Sequence, residues 1–288
     1  MSSMLSNRVQ KVKPSATMAV SDKAKELKSQ GIQIVSMGSG EPDFDTPTNI
    51  QKAAIKAIGN GETRYTAADG TPELKKAICE KFKRENGLDY SLNEVMVSCG
   101  GKQVFYNLCQ AILNSGDEVI IPTPYWVSYP DMAILADATP VFIEAGLDQE
   151  FKISPEQLEE SITANTKLLV LNSPSNPTGS VYSKSEIEAL GTVLEKHPHV
   201  LIISDDIYEH IRWGDDDFVN IAMACPNLKD RVIILNGVSK AYAMTGWRIG
   251  YAAGPESVIK AMKKIQGQST SNPSSISQAA ALEAITGD

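Results

Sequence analysis

From about residue 94 onward, short apolar runs rich in β-branched residues alternate with amphipathic stretches, the pattern of a largely parallel sheet covered by helices. Seven such runs predict buried strands, at 94–99, 118–121, 139–143, 166–172, 200–204, 231–235 and 248–252. The segments between them carry helix start signals. Ser154-Pro155-Glu156-Gln157 puts a serine at the N-cap, a proline in the first helical position and a glutamine three residues past the cap. Thr71-Pro72-Glu73 opens a helix that turns Leu74, Ile78 and Phe82 to one face and stops at Gly87. Before residue 46 the texture changes. A basic arm with Arg8, Lys11 and Lys13 leads into an amphipathic stretch at 16–30, then into a glycine- and proline-rich run from Met37 to Pro47. This part is expected to lie outside the main sheet, giving an arm at 1–45 and a large α/β unit at 46–288.

The 288 residues allow two domains, or one large α/β domain with an appendage. Hydrophobic residues make up 42% and charged residues 22%, so a packed core is expected rather than disorder. The net charge of −8 argues against binding nucleic acid through broad positive potential. Cys79, Cys99, Cys109 and Cys225 form no C-x-x-C pair, and His197 and His199 are the only neighbouring histidines. Neither a metal site nor a disulfide framework is expected, and the cysteine usage fits a reducing, cytoplasmic setting. No apolar run approaches the length of a membrane span, and none follows the basic arm as in a signal peptide.

Four strand ends carry candidate chemistry. After the run at 231–235 comes Asn236-Gly-Val-Ser239-Lys240, then Gly246-Trp-Arg248. A lysine just past a buried strand sits where α/β sheets place ligands, and desolvation there lowers its pKa toward nucleophilic use. Ser239 and Arg248 supply a hydroxyl and a guanidinium suited to a phosphate. The run at 200–204 delivers Asp205, either the cap of a turn or the partner of a protonated heteroaromatic nitrogen, with Tyr208 three residues on to donate to an oxygen of the same ring. Asn176, in the turn-forming run Asn172-Ser-Pro-Ser-Asn176-Pro-Thr-Gly179, could offer its amide to a phenolate.

In Ser98-Cys99-Gly100-Gly101-Lys102-Gln103, a glycine pair opens a helix whose first amides could receive an anion. Neither the Walker spacing nor G-x-G-x-x-G occurs, so a nucleotide-binding domain is the weaker use of this geometry. Trp126, in Pro122-Thr-Pro-Tyr125-Trp126, could stack on a flat ring or serve as core.

Taken together, these motifs resemble the fold-type I pyridoxal-phosphate enzymes, specifically the class I aminotransferases of the bacterial aspartate aminotransferase type. The likeness runs from Lys13-Pro-Ser15-Ala-Thr17 and Gly40-Glu-Pro-Asp-Phe-Asp-Thr-Pro47, through Asn176-Pro-Thr-Gly179, to Ser239-Lys240 and Gly246-Trp-Arg248-Ile-Gly250. It implies an α/β/α large domain around a largely parallel seven-stranded sheet. It also implies pyridoxal 5′-phosphate as cofactor, bound covalently to Lys240. By the same resemblance Asp205 pairs with the pyridine nitrogen, Asn176 and Tyr208 bind the ring oxygen, and Trp126 stacks on the ring. The phosphate lies among the amides of Gly101 and Lys102, Ser239 and Arg248, with Tyr65 reaching in from a neighbouring subunit of a homodimer.

The implied reaction moves an amino group from an amino acid to a 2-oxo acid by a ping-pong aldimine/ketimine mechanism, with Lys240 as general base. Ser15, Thr17 and Lys102 match the positions that relatives use for a distal carboxylate, which favours aspartate or glutamate and also fits prephenate. Gly40, Asn176 and Trp126 match further substrate contacts. Such enzymes carry a C-terminal arginine that clamps the substrate α-carboxylate, whereas no arginine follows Arg248 in this sequence. The expectation is therefore a C-terminally truncated chain, with a cofactor-binding fragment of little or no activity as the competing reading. Elimination or cyclisation on the same fold is a third.

Overall fold

The computed structural model describes residues 4–14, 16–35, 37–38, 40–214 and 217–287, with the side chains of 16–18 also outside the description. All seven expected strands are present: β1 Val95–Ser98, β2 Glu118–Thr123, β3 Thr139–Glu144, β4 Thr166–Asn172, β5 Leu201–Asp205, β6 Val232–Gly237 and β7 Gly250–Ala253. They form one sheet in the order β1-β7-β6-β5-β4-β2-β3. The pairs β2–β3, β2–β4, β4–β5 and β5–β6 are parallel, whereas β7 runs antiparallel to both β6 and β1.

The strand bounds shift for local reasons. β1 starts one residue late because Leu92–Glu94 forms a 3₁₀ turn, with the Glu94 carboxylate accepting the Ser91 N–H at 2.8 Å. β7 starts at Gly250 because Thr245–Trp247 is another 3₁₀ turn and Arg248 then takes a left-handed φ of 57°. β5 and β6 run past their apolar stretches, since the ladder pairs Asp205 with Leu235 and Gly237 with Gly250. Hydrophobicity marks the buried part of a strand, while its pairing partners decide where it ends.

Alternate strand residues face opposite layers. Val97, Ile202, Val232 and Ile234 belong to one core, which includes residues of the helices Thr48–Gly59, Pro72–Asn86, Lys184–Glu195 and Ser275–Thr286. Met96, Ile203, Ile233 and Leu235 belong to a second core with the helices Gly101–Ile112, Ser128–Leu135 and Glu256–Gly267. The result is an α/β/α sandwich. The expected caps are in place: Thr71 Oγ1 accepts the Leu74 N–H at 3.4 Å, Gly87 ends that helix at φ 67°, and Ser154 and Gln157 complete a capping box.

Ahead of the sandwich, Asn7–Lys11 contains no buried residue, and Ala16–Ser29 is helical. Thr46 ties the following segment down: its hydroxyl donates to Ala243 O at 2.6 Å and accepts from Trp247 Nε1 at 3.0 Å. Among the described residues, no helix is long and apolar enough to cross a membrane.

Candidate active site

Topology brings the candidate residues to one edge of the sheet. β2, β4, β5 and β6 are parallel and end together, and β1, two antiparallel steps from β6, ends with them. β7 runs the other way and so begins at that edge, which puts Arg248 beside loops that are far away in sequence. Asn172 and Asn176, Asp205 and Tyr208, Ser239 and Lys240, Trp126, and Gly100 to Lys102 all stand at or just beyond these strand ends.

Asp205 closes β5 and is 4% exposed. Its Oδ2 accepts from the Tyr129 hydroxyl at 2.5 Å and its Oδ1 from the Ile207 N–H at 3.3 Å. Capping the turn and presenting a carboxylate are thus both realised by one side chain. Among the described residues it has no cationic partner within salt-bridge distance, and burial, outweighing these two hydrogen bonds, pushes its carboxyl up to about 6. Asn172 Nδ2 donates to Asp205 O at 2.9 Å, and Asn172 Oδ1 accepts the Asn176 N–H at 2.8 Å. This relay orients the turn after β4, so that Asn176 Nδ2 lies 3.4 Å from the Tyr208 hydroxyl.

Lys240 is half-buried, with its Nζ 5.8 Å from the centroid of the Tyr208 ring and hydrogen-bonded to Gly40 O. Burial lowers its pKa, Glu41 opposes that change and Arg248 adds to it. A lysine in this setting is closer to the neutral, nucleophilic amine than a solvated one.

Across the edge, Arg248 donates from Nη1 to Thr245 O at 2.9 Å and from Nη2 to Cys99 O at 3.4 Å. Gly100 holds φ +88°, and a Cβ there would overlap the Arg248 guanidinium. A Cβ on Gly250 would overlap the backbone at Gly100 and Gly101. The glycines therefore allow two main-chain segments and a guanidinium to converge. Gly101 and Lys102 occupy the first turn of Gly101–Ile112, where no carbonyl four residues back accepts their N–H groups. Ser239 is buried and follows Val238, whose N–H donates to Ile249 O at 3.3 Å, so its segment runs beside that of Arg248 near this helix N-terminus.

Trp126 packs edge-on against Tyr129 at 5.2 Å, and Lys102 Nζ lies 5.1 Å from the Trp126 ring centroid. Burial first, and Arg248 second, lower the pKa of Lys102.

Not every candidate joins this cluster. Tyr65 is 92% exposed, Gly40 is exposed apart from its carbonyl contact with Lys240, and Ser15 and the Thr17 side chain lie outside the described residues. Sequence reasoning overlooked Tyr129, although a tyrosine three positions after Trp126, on what proved a buried helical face, needs a polar partner for its hydroxyl. It also overlooked Asn172 and the bond from Thr245 to Glu41: Asn172 and Glu41 lie inside quoted runs, but nothing local shows which partners these side chains take.

The family model for aminotransferases of class I and II matches residues 32–288. Among curated proteins, the aspartate/prephenate aminotransferase of Nitrosomonas europaea is 60% identical over 284 residues, spanning 99% of this chain and 72% of the relative. The protein of the same name from Cereibacter sphaeroides is 59% identical, spanning 98% and 71%. Among solved structures, the aspartate aminotransferase from Rhizobium meliloti superposes with a TM-score of 0.96 at 50% identity, covering 99% of this chain and 72% of that one. The Thermus thermophilus aspartate aminotransferase with maleate gives 0.94 at 48%, covering 99% and 73%. The chain belongs to the class I and II aminotransferases, enzymes that move an amino group between an amino acid and a 2-oxo acid.

Proposed function

We propose that this chain transaminates aspartate or glutamate with pyridoxal 5′-phosphate held at the sheet edge, and that it accepts a prephenate-type 2-oxo acid. The observation that carries the reading is the presentation, from adjacent strands β5 and β6, of a buried carboxylate that meets no cation among the described residues and a half-buried lysine of lowered pKa. The donor set fits the group. A cationic ring nitrogen would supply the missing partner of Asp205, and the corner of Gly101, Lys102, Ser239 and Arg248 offers amides, a hydroxyl and a guanidinium to a phosphate. Asn176 and Tyr208 present donors to a ring oxygen, and Trp126 offers a flat face.

When bound, the cofactor supplies the electron sink for charge left as the substrate Cα–H bond breaks. The chain's own residues do the rest. Lys240 Nζ would hold the cofactor and, as a free amine of lowered pKa, would take the substrate Cα proton and return it as general base and acid. Asp205 keeps the ring nitrogen protonated, because an adjacent anion raises the pKa of a cationic acid. Gly40, Asn176 and Trp126 line the substrate side, while Lys102 with Ser15 and Thr17 receives a distal carboxylate. Tyr65, exposed here, donates to the phosphate of the neighbouring subunit in a homodimer. The same reading divides the chain into an arm with part of a small domain at 1–45 and the cofactor-binding unit at 46–288, in a cytoplasmic protein.

The test is to titrate the chain with pyridoxal phosphate, reduce with borohydride and map the added mass by peptide analysis, then repeat with aspartate and 2-oxoglutarate present. Modification of Lys240 together with conversion of both substrates is expected, and Lys240→Ala loses both. Attachment at a different lysine overturns the assignment, and attachment without conversion makes the chain a cofactor-binding fragment.

A further inference from the structure

Below the sheet edge lies a buried ionic cluster with no part in the chemistry above. Glu209 Oε1 accepts from Lys81 Nζ and, at 2.8 Å, from Asn236 Nδ2, while Glu209 Oε2 accepts from Asn86 Nδ2 at 3.1 Å. Lys81 Nζ also donates to Asn86 Oδ1 at 3.0 Å, and His210 Nε2 lies 3.3 Å from both Glu209 Oε1 and Glu85 Oε2. The Lys81 and Glu209 side chains are 2% and 4% exposed. Burial opposes ionisation of Glu209, but bonds from His210 and the charge of Lys81 prevail and hold its carboxyl down at about 2.

An ion pair this deeply buried seldom stabilises more than apolar side chains of the same volume, whereas it does demand one geometry. The geometry it demands here joins three elements of the site's foundation. Lys81, Glu85 and Asn86 sit on Pro72–Asn86, Glu209 directly follows Tyr208, and Asn236 lies on β6 four residues before Lys240. Ladder pairing of β5 with β6 stops at Asp205 and Leu235, and the last main-chain bond between the two segments runs from the Asp206 N–H to Leu235 O at 2.8 Å, among the described residues. Beyond that point the Asn236–Glu209 bond continues the connection. Asn236 is oriented at its other end too, since its Oδ1 accepts the Gly237 N–H at 2.7 Å.

We propose that the hydrogen bond from Asn236 to Glu209 sets the position of Tyr208 relative to Lys240, making Asn236 and Glu209 positioning residues of the site while Lys81 and Asn86 hold Glu209 in place. The proposal rests on the functional reading above, in which Tyr208 donates to the cofactor ring oxygen.

A double-mutant cycle on the full chain tests it, with pyridoxal phosphate as probe. Asn236→Ala, Tyr208→Phe and the double variant are compared by absorbance titration and by visible circular dichroism of the bound probe, which reports how its ring is fixed. Melting of the probe-free chain checks that each variant is folded. Asn236→Ala is expected to weaken binding about tenfold and to change the dichroism, yet to weaken it less than about threefold once Tyr208 is phenylalanine, because coupled residues are not additive. Should Asn236→Ala not fold, Asn236→Ser keeps an acceptor for Gly237, is too short to reach Glu209, and carries the same expectation. An equal loss in both backgrounds, or no loss while the unmodified chain binds normally, overturns the positioning role and leaves the functional reading standing. If the unmodified chain does not bind the probe, the functional reading falls and this proposal falls with it.

Discussion

The Tyr129 hydroxyl donates to Asp205 Oδ2 at 2.5 Å, and both side chains are buried where the carboxylate meets no cation among the described residues. Two residues 76 apart in sequence thus share one proton-bearing contact directly under the candidate ring site. Burial dominates over this bond and leaves the carboxyl at about 6, poised for a cationic partner.

The cofactor-free chain should therefore lose stability through Asp205 as pH rises. Its folded pKa, about 6, lies above the ordinary value of 3.8, so the folded state holds the extra proton between these limits. The contribution is fully present below pH 4 and lost as pH passes 6. Urea unfolding at pH 4 and pH 7 should show Asp205→Asn gaining on the unmodified chain by up to about 3 kcal/mol. The same variant should lower transamination about a hundredfold or more. A stability difference that does not change with pH would contradict the burial account.

Gly100→Ala should damage phosphate recognition in particular. The added methyl would displace the Arg248 guanidinium, and φ +88° is unfavourable for alanine, at a cost of about 1 kcal/mol in stability. Binding of pyridoxal phosphate should weaken markedly while binding of pyridoxal, which lacks the phosphate, changes little. Parallel titrations with the two compounds decide it, and an equal loss for both would remove Arg248 and Gly100 from the phosphate site.

Lys102→Met should alter substrate choice more than turnover. It removes the ammonium that lies 5.1 Å from the Trp126 ring and keeps most of the aliphatic stem. KM for aspartate should rise about tenfold, as for loss of one charge-assisted contact, with kcat changing less and activity toward alanine unaffected. An unchanged KM for aspartate would assign the distal carboxylate elsewhere.

Arg231 offers a test of the fold independent of the chemistry. Its guanidinium donates to Leu194 O at 2.8 Å, His197 O at 2.9 Å and Val200 O at 2.8 Å, adding a charged donor to the carbonyls at the end of Lys184–Glu195 and in the turn that follows, where Leu194 O and His197 O also accept backbone N–H groups. Arg231→Met should lower stability by about 1–3 kcal/mol, seen as a lower Tm with pyridoxal phosphate binding at saturation retained.

Strand positions and several helix caps were readable along the chain because they depend on neighbours close in sequence. The apolar period at 166–172 matches β4 in full, and Ser154, Thr71 and Gly87 act where their side chains or their lack of one predict. Lys240, Asp205, Asn176, Trp126 and Gly100 stand out as candidates for the same reason, since each belongs to a local run at a strand end. Tyr129 and Glu209 were not. Which partner a buried tyrosine or glutamate takes is not written locally, because those partners come from segments tens of residues away.

Local pattern thus specified the elements and which loops hold reactive residues, because backbone conformation and one-sided burial are short-range properties. Strand order did not follow from it. Whether β7 runs with or against its neighbours depends on long-range pairing, and that choice alone puts Arg248 beside Gly100. The electrostatics waited on the same step, because burial is what raises the Asp205 carboxyl and lowers the Lys240 amine, and burial exists only once distant segments have packed together.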